Sequence, residues 1–280
     1  MSGVQPAAGA QAGGALSAAE ALRRLRDLPS LPDAVSELLT LMQRDDLDMR
    51  YLAERIALDQ AIAAKALRLA NSSFYGLAAR VTSLQQAIAV LGVHSIRTLV
   101  TAVAMTGSLR VPPAAGFDLR AFWRHSLAAA AAARALARRQ QQNPESAFTA
   151  GLLHDIGVPV LATSFPGEYA AMEAWRRAHA SSQREAEQAC FGFDHAAVGG
   201  ALAGHWHFPP LIQEAVARHH EAAWQERSLP LTVHLANLLA HGEEPAPSAW
   251  QALDLDLPAW REAELQAGQD CQAMCQVLLN

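Results

Sequence analysis

The sequence predicts an all-α fold, and three observations carry that reading. From Ala18 onward, apolar residues recur at three- and four-residue intervals almost without interruption. No stretch alternates apolar and polar residues as a half-buried strand would. The interruptions are residues that start or stop helices: Ser, Asp or Asn before a periodic run, Gly or Pro after one.

Met1 to about Ser17 is rich in Ala, Gly and Gln without a hydrophobic period and reads as a disordered tail. Pro32 stands where a first-turn proline belongs, ahead of Val35, Leu38, Leu39 and Met42. Asp48 is placed to cap a short helix carrying Leu52, Ile56 and Ala57. The next runs from about Gln60 through Ala64 and Leu67 to Asn71, where Asn71-Ser72-Ser73-Phe74-Tyr75-Gly76 reads as a stop and turn. Ser83 caps another, ending at Leu91-Gly92 with Gly92 as a left-handed terminator. A further helix from about Ser95 to Leu109 bears Leu99, Val100 and Val103. The segment Val111-Pro112-Pro113-Ala114-Ala115-Gly116 is the clearest linker, dividing an N-terminal helical lobe (18–110) from a second lobe (117–241).

The second lobe is expected to open with the longest helix, about Leu119 to Gln141. Ala128 to Ala133 at its centre favour helix and permit close approach of a neighbouring backbone. Pro144-Glu145 opens the next, which carries His154-Asp155 up to Gly157. Helices are then expected at about 168–179, 182–190, 195–206, 210–221 and 230–241, with Asp194 as the N-cap before His195. Past Gly242, Glu-Glu-Pro-Ala-Pro breaks the pattern. The extension 242–280 ends in an amphipathic helix, about Pro258 to Leu279, expected to pack back as a lid.

Composition narrows the function classes. A net charge of -5 and a pI near 6.1 give no reason to expect binding to nucleic acid or to an anionic membrane. No uninterrupted apolar run approaches the roughly 20 residues of a spanning helix, and the start lacks a basic segment followed by an apolar one, so a cytoplasmic location is expected. Cys190, Cys271 and Cys275 are too few for a disulfide framework. Cys271 and Cys275, four apart, lack the partners a metal site needs and read as packing residues.

Against this apolar background a set of polar residues faces inward. His154-Asp155 lies inside the apolar stretch Gly151-Leu152-Leu153-His154-Asp155-Ile156-Gly157, where a buried polar group needs a partner. His195 is followed at helical spacing by Val198, Gly199 and Leu202; His219 and His220 follow Ile212, Ala215 and Val216. His125 shares a face with Ala121, Phe122, Ala128 and Ala129, and Asn237 lies between Val233 and Ala240. Convergence of these positions predicts one site. A carboxylate among several imidazoles suits divalent iron, manganese or zinc and can bridge two ions. His94, His179, His205, His207, His234 and His241 sit near helix ends or among polar neighbours and are expected to be solvated.

The order His125, His154-Asp155, His195, His219-His220, Asn237 resembles the metal-binding pattern of the HD superfamily of phosphohydrolases, especially its cyclic-dinucleotide phosphodiesterase branch. Leu28-Pro29-Ser30-Leu31-Pro32, the stretch from Asp59 to Gly76, and Ser83 to Gly92 resemble the HDOD domain. Phe122-Trp123-Arg124-His125-Ser126 and Phe148 to Gly157 continue that likeness. The resemblance implies an HD-superfamily helical bundle with an N-terminal helical lobe, used as a bacterial regulatory module in signal transduction. It implies a protein partner in trans or a small ligand, a link to cyclic-dinucleotide pathways, and no turnover. Two departures point the same way: Val158 stands where catalytic relatives commonly carry Lys, and Asn237 stands where they close the site with Asp. Asp59-Gln60 replaces the usual Asp-Pro. The alternative implied by the same pattern is a metal-dependent phosphohydrolase or phosphodiesterase.

Overall fold

The structure, a computed structural model, describes residues 33–41, 48–108, 111–112, 116–221 and 227–280. The expected tail, Pro32 and Met42 lie outside the described residues. Within them the chain is all-α, with no strand.

The first lobe comprises Asp33–Leu41 (α1), Met49–Ala57 (α2), Gln60–Ala70 (α3) and Leu84–Ser108 (α4). Its starts are fixed by side-chain caps: Asp48 accepts from the Arg50 amide, Asp59 from the amides of Ala61 and Ile62, and Ser83 from that of Gln86. Two helices were expected between Ser83 and Leu109. Two helices are found, meeting at a sharp kink where Gly92 leaves the helical range with φ +79° and ψ 165°, at the expected break; the pair is numbered together as α4. Joined this way, Leu84–Gly107 is long and apolar enough by composition to cross a membrane, which counting uninterrupted runs had hidden. It is bent and more than half buried within the protein, as a core helix is.

The second lobe comprises Leu119–Arg139 (α5), Pro144–Leu153 (α6), Gly157–Ser164 (α7), Pro166–His179 (α8), Gln183–Phe191 (α9), His195–His205 (α10), Pro210–Arg218 (α11) and Leu229–His241 (α12). Asp118, Asn143, Asp194 and Ser228 cap their helices, and Ser182 with Glu185 forms a capping box. Pro247–Leu253 (α13) and Leu257–Leu278 (α14) complete the chain. α13 was not expected; its first-turn proline, Pro247, is the last residue of the Glu-Glu-Pro-Ala-Pro segment that was read as a break.

α5 is the central column, packing on α6, α12 and α14. It is not the longest helix, since the 22 residues of α14 exceed its 21. Its alanines explain its place: Ala129 to Ala133 are fully buried, and a Cβ added to Gly151 of α6 would lie 2.9 Å from the Ala129 carbonyl oxygen. Two backbones meet there with no side chain between them. α14 packs back on the bundle. It runs along α5 to the first lobe, where Lys65 donates to the Leu278 carbonyl at 3.1 Å.

The lobes share one continuous core. At their junction Arg134, 4% exposed, donates to Glu145 at 2.9 Å and to the Phe74 carbonyl at 3.3 Å, with its guanidinium 4.2 Å above the Phe74 ring. The Phe74-Tyr75 turn of the first lobe is thereby locked to α5 and α6.

Candidate metal centre

All seven expected residues converge. His125 projects from α5, His154 and Asp155 form the turn between α6 and α7, His195 opens α10, His219 and His220 follow α11, and Asn237 lies on α12. The Asp155 carboxylate is the hub. Its Oδ2 lies 3.2 Å from His154 Nε2 and 3.5 Å from His125 Nε2; its Oδ1 lies 3.2 Å from His195 Nε2 and 3.4 Å from His219 Nε2. His195 and His220 approach at 2.8 Å between Nε2 atoms, His125 and His154 at 3.3 Å, and Asn237 Oδ1 is 3.3 Å from His154 Nε2. One carboxylate thus divides the imidazoles into two sets.

Local backbone geometry aims these rings. His154 and His219 each sit just past a helix, and each Nδ1–H donates at 2.7 Å to a carbonyl three residues back, Gly151 and Val216. Such carbonyls lack helical partners. Donation from Nδ1 leaves Nε2 unprotonated with its lone pair facing the site, the tautomer a metal requires. His195 is aimed from further off: its Nδ1–H donates at 2.6 Å to Glu187 Oε2, which also accepts the His195 backbone N–H at 2.8 Å. Asp155 Oδ1 and His219 Nε2 are buried without a hydrogen-bond partner among the described residues. Two facing orphan acceptors in an apolar interior are costly, and a divalent cation between them satisfies both. The donor set fits such an ion.

Burial and neighbours set the charges. Burial pushes the Asp155 carboxyl up, but the imidazoles of His154, His125 and His195 gathered around it outweigh burial and hold it well below its usual range. Burial pushes His195 down, but Asp155 and Glu187 on its two sides overcome this and raise it to about 10. Burial drives His219 down to about 4 and His220 down to about 2, with neighbouring imidazoles adding to the effect on His220.

These directions predict a two-sided stability profile for chelated protein. Between about pH 4 and 6.5 the unfolded chain takes protons on its counterparts of His219 and His220 that the folded chain refuses, so stability falls with acid. His195 holds an extra proton in the fold; that contribution is full below about 6.5 and is lost as pH rises towards about 10. The melting temperature in EDTA is expected to peak near neutrality and fall on both sides. A profile flat from acid to alkali contradicts these charge states.

Sequence reasoning missed two members. Glu187 is fully buried, on the α9 face that carries Ala186 and Phe191, and a carboxylate on an apolar face was the available signal. His241 was expected to be solvated; it is exposed but its ring lies 4.4 Å from that of His125, one turn beyond Asn237. His234, also expected to be solvated, is half-buried and donates from Nδ1 to the His219 carbonyl at 2.8 Å. His94, His179, His205 and His207 are exposed as expected. The cluster meets solvent at His125 and Asp155, whose side chains are 19% and 18% exposed.

An all-α bundle that gathers imidazoles around one carboxylate from its second lobe, under a separate helical N-terminal lobe, has the HD-type architecture. The chain belongs to the HDOD family: residues 28–222, more than half of it, match the HDOD domain. It is similar to a crystal structure of a candidate phosphohydrolase from Shewanella amazonensis SB2B, at 28% identity and TM-score 0.79, covering 92% of this chain and 97% of that one. It shares its fold with a candidate signal transduction protein of Marinobacter aquaeolei VT8, at 23% identity and TM-score 0.74 over 92% of this chain and 61% of that one. An uncharacterized protein of Treponema pallidum (strain Nichols) is 24% identical over 236 residues, 81% of this chain. The chain spans 45% of that relative's length.

Proposed function

We infer that the chain is a regulatory signalling module of the HDOD type that holds a divalent metal at the Asp155 centre and engages a protein partner or small ligand without turnover. The observation that carries the metal is Asp155, with one carboxylate oxygen toward His125 and His154 and the other toward His195 and His219. His125, His154, Asp155, His195, His219 and His220 are the ligand candidates, with Asn237 as a weak neutral one. Oxygen and imidazole donors together suit iron, manganese or zinc.

Two residues support the absence of turnover. Val158 is a buried side chain at the position where the resemblance places a Lys, so no cation from there meets a substrate phosphate. Asn237 brings a carbonyl oxygen toward His154 and no negative charge. The second reading, a metal-dependent phosphohydrolase, is favoured by the division of the imidazoles into two sets and by the description of the Shewanella relative. Ions held there would supply a Lewis acid. Metal analysis followed by assay against cyclic dinucleotides and simple phosphate esters separates the two. Bound metal without hydrolysis is expected; turnover that disappears on chelation overturns the regulatory reading in favour of the second.

Glu187 is a positioning residue in this account. Glu187→Gln removes the charge that holds the His195 ring, and metal affinity is expected to fall about 10- to 100-fold, the usual cost of such a partner. Metal titration monitored by competition with a chromophoric chelator reads this directly. An affinity within about twofold of the parent shows that Glu187 acts on the fold alone.

A further inference from the structure

The Asn71 to Thr82 stretch, which joins two segments that resemble the HDOD domain, contributes nothing to the metal centre. It builds a groove of about 840 Å³ in the first lobe, between the end of α3, the α3–α4 loop and Val277 of α14. The groove is preformed. Asn71 clamps the loop onto α3: its amide donates to the carbonyls of Leu67 and Val81, and its Oδ1 accepts the Val81 N–H, each at 2.9 Å. Leu67, Leu77, Val81 and Val277 supply apolar wall.

Two exposed guanidinium groups, Arg68 and Arg80, border this wall, and no carboxylate lines the groove. Neither arginine has a carboxylate partner among the described residues, whereas nine other arginines are paired. In a chain of net charge -5 this is a local positive site beside apolar surface. Its volume is that of a small-molecule cleft, about 300–1,000 Å³. The guanidinium fork matches phosphate oxygens bidentately and stacks on planar rings.

We propose that this groove binds an organic phosphate of mononucleotide size, with the phosphate held by Arg68 and Arg80 and the planar base against Leu67, Leu77, Val81 and Val277. The elements that form it are not those that carry the metal centre, so binding is independent of metal.

Calorimetric titration of the full chain with AMP tests this, in EDTA so that the metal centre takes no part. Saturable binding with a Kd below about 1 mM is expected, at least tenfold weaker in Arg68→Glu/Arg80→Glu, and weaker as salt rises. Both arginines are exposed, so the variant should keep its melting temperature; Arg68→Gln/Arg80→Gln, with no charge reversal, is the milder check. Inorganic phosphate should bind more weakly than AMP. No saturation with AMP, equal affinity in both double variants, or equal binding of phosphate and AMP overturns the proposal. Decanoate binding as tightly as AMP overturns it too, by assigning the groove to carboxylates.

Discussion

Asp155→Asn is expected to weaken metal binding at least a hundredfold while leaving the chain folded. The carboxylate is the one anion in direct reach of both imidazole sets. Removing an anionic ligand should exceed the roughly 10- to 100-fold cost of removing a second-layer partner. The fold survives because an amide is isosteric and its N–H groups can donate to Nε2 lone pairs that otherwise face one another. The same change takes away one of the two carboxylates that hold His195 protonated, so the alkaline fall in stability of chelated protein should flatten. Metal retained through dialysis at the parent's stoichiometry contradicts the role assigned to Asp155.

Gly157→Ala is expected to cost about 3 kcal/mol or more, near the upper end for overpacking. An added Cβ would lie 2.1 Å from the His195 carbonyl oxygen, 2.8 Å from its carbon and 3.0 Å from the Gly199 nitrogen. All three are backbone atoms, and none can rotate away. Relief requires α7 to shift from α10, which separates the His154-Asp155 turn from His195. Metal affinity and melting temperature should therefore fall together. Gly268→Ala in α14 is the control: nothing lies within 4 Å of its added Cβ, and an alanine in a helix interior should stabilise by about 0.5–1 kcal/mol. Equal melting temperatures for Gly157→Ala and the parent contradict the close contact of these helices.

Much of this centre could be read from residue order because its residues obey helical arithmetic. His195, His219 and His220 lie on apolar faces, and His154-Asp155 interrupts an apolar run; each is a local pattern. What escaped reading depends on contacts distant in sequence or on competing signals. Glu187 stands on the apolar face of a helix that is polar elsewhere, and its role shows only through its bonds to the backbone and ring of His195, eight residues on. His241 follows Asn237 by one turn, a spacing that marked a possible neighbour, but its place at a helix end suggested solvent. Gly92, by contrast, was legible: its positive φ separates two helices at the expected position, and the two halves meet there at a kink. α14 reads as amphipathic whether it covers a site or braces two lobes, and only the partner across from its apolar face distinguishes these.

The central claim is that Asp155 is the hub of a metal centre shared between two imidazole sets. An anomalous difference map from crystals grown with Mn²⁺ tests it most directly. The account predicts density within about 2.0–2.3 Å of an Asp155 carboxylate oxygen and of at least two of the facing histidine Nε2 atoms, the range of such bonds. Crystals saturated with Mn²⁺ that show no peak at Asp155, or a peak only elsewhere on the surface, would contradict it.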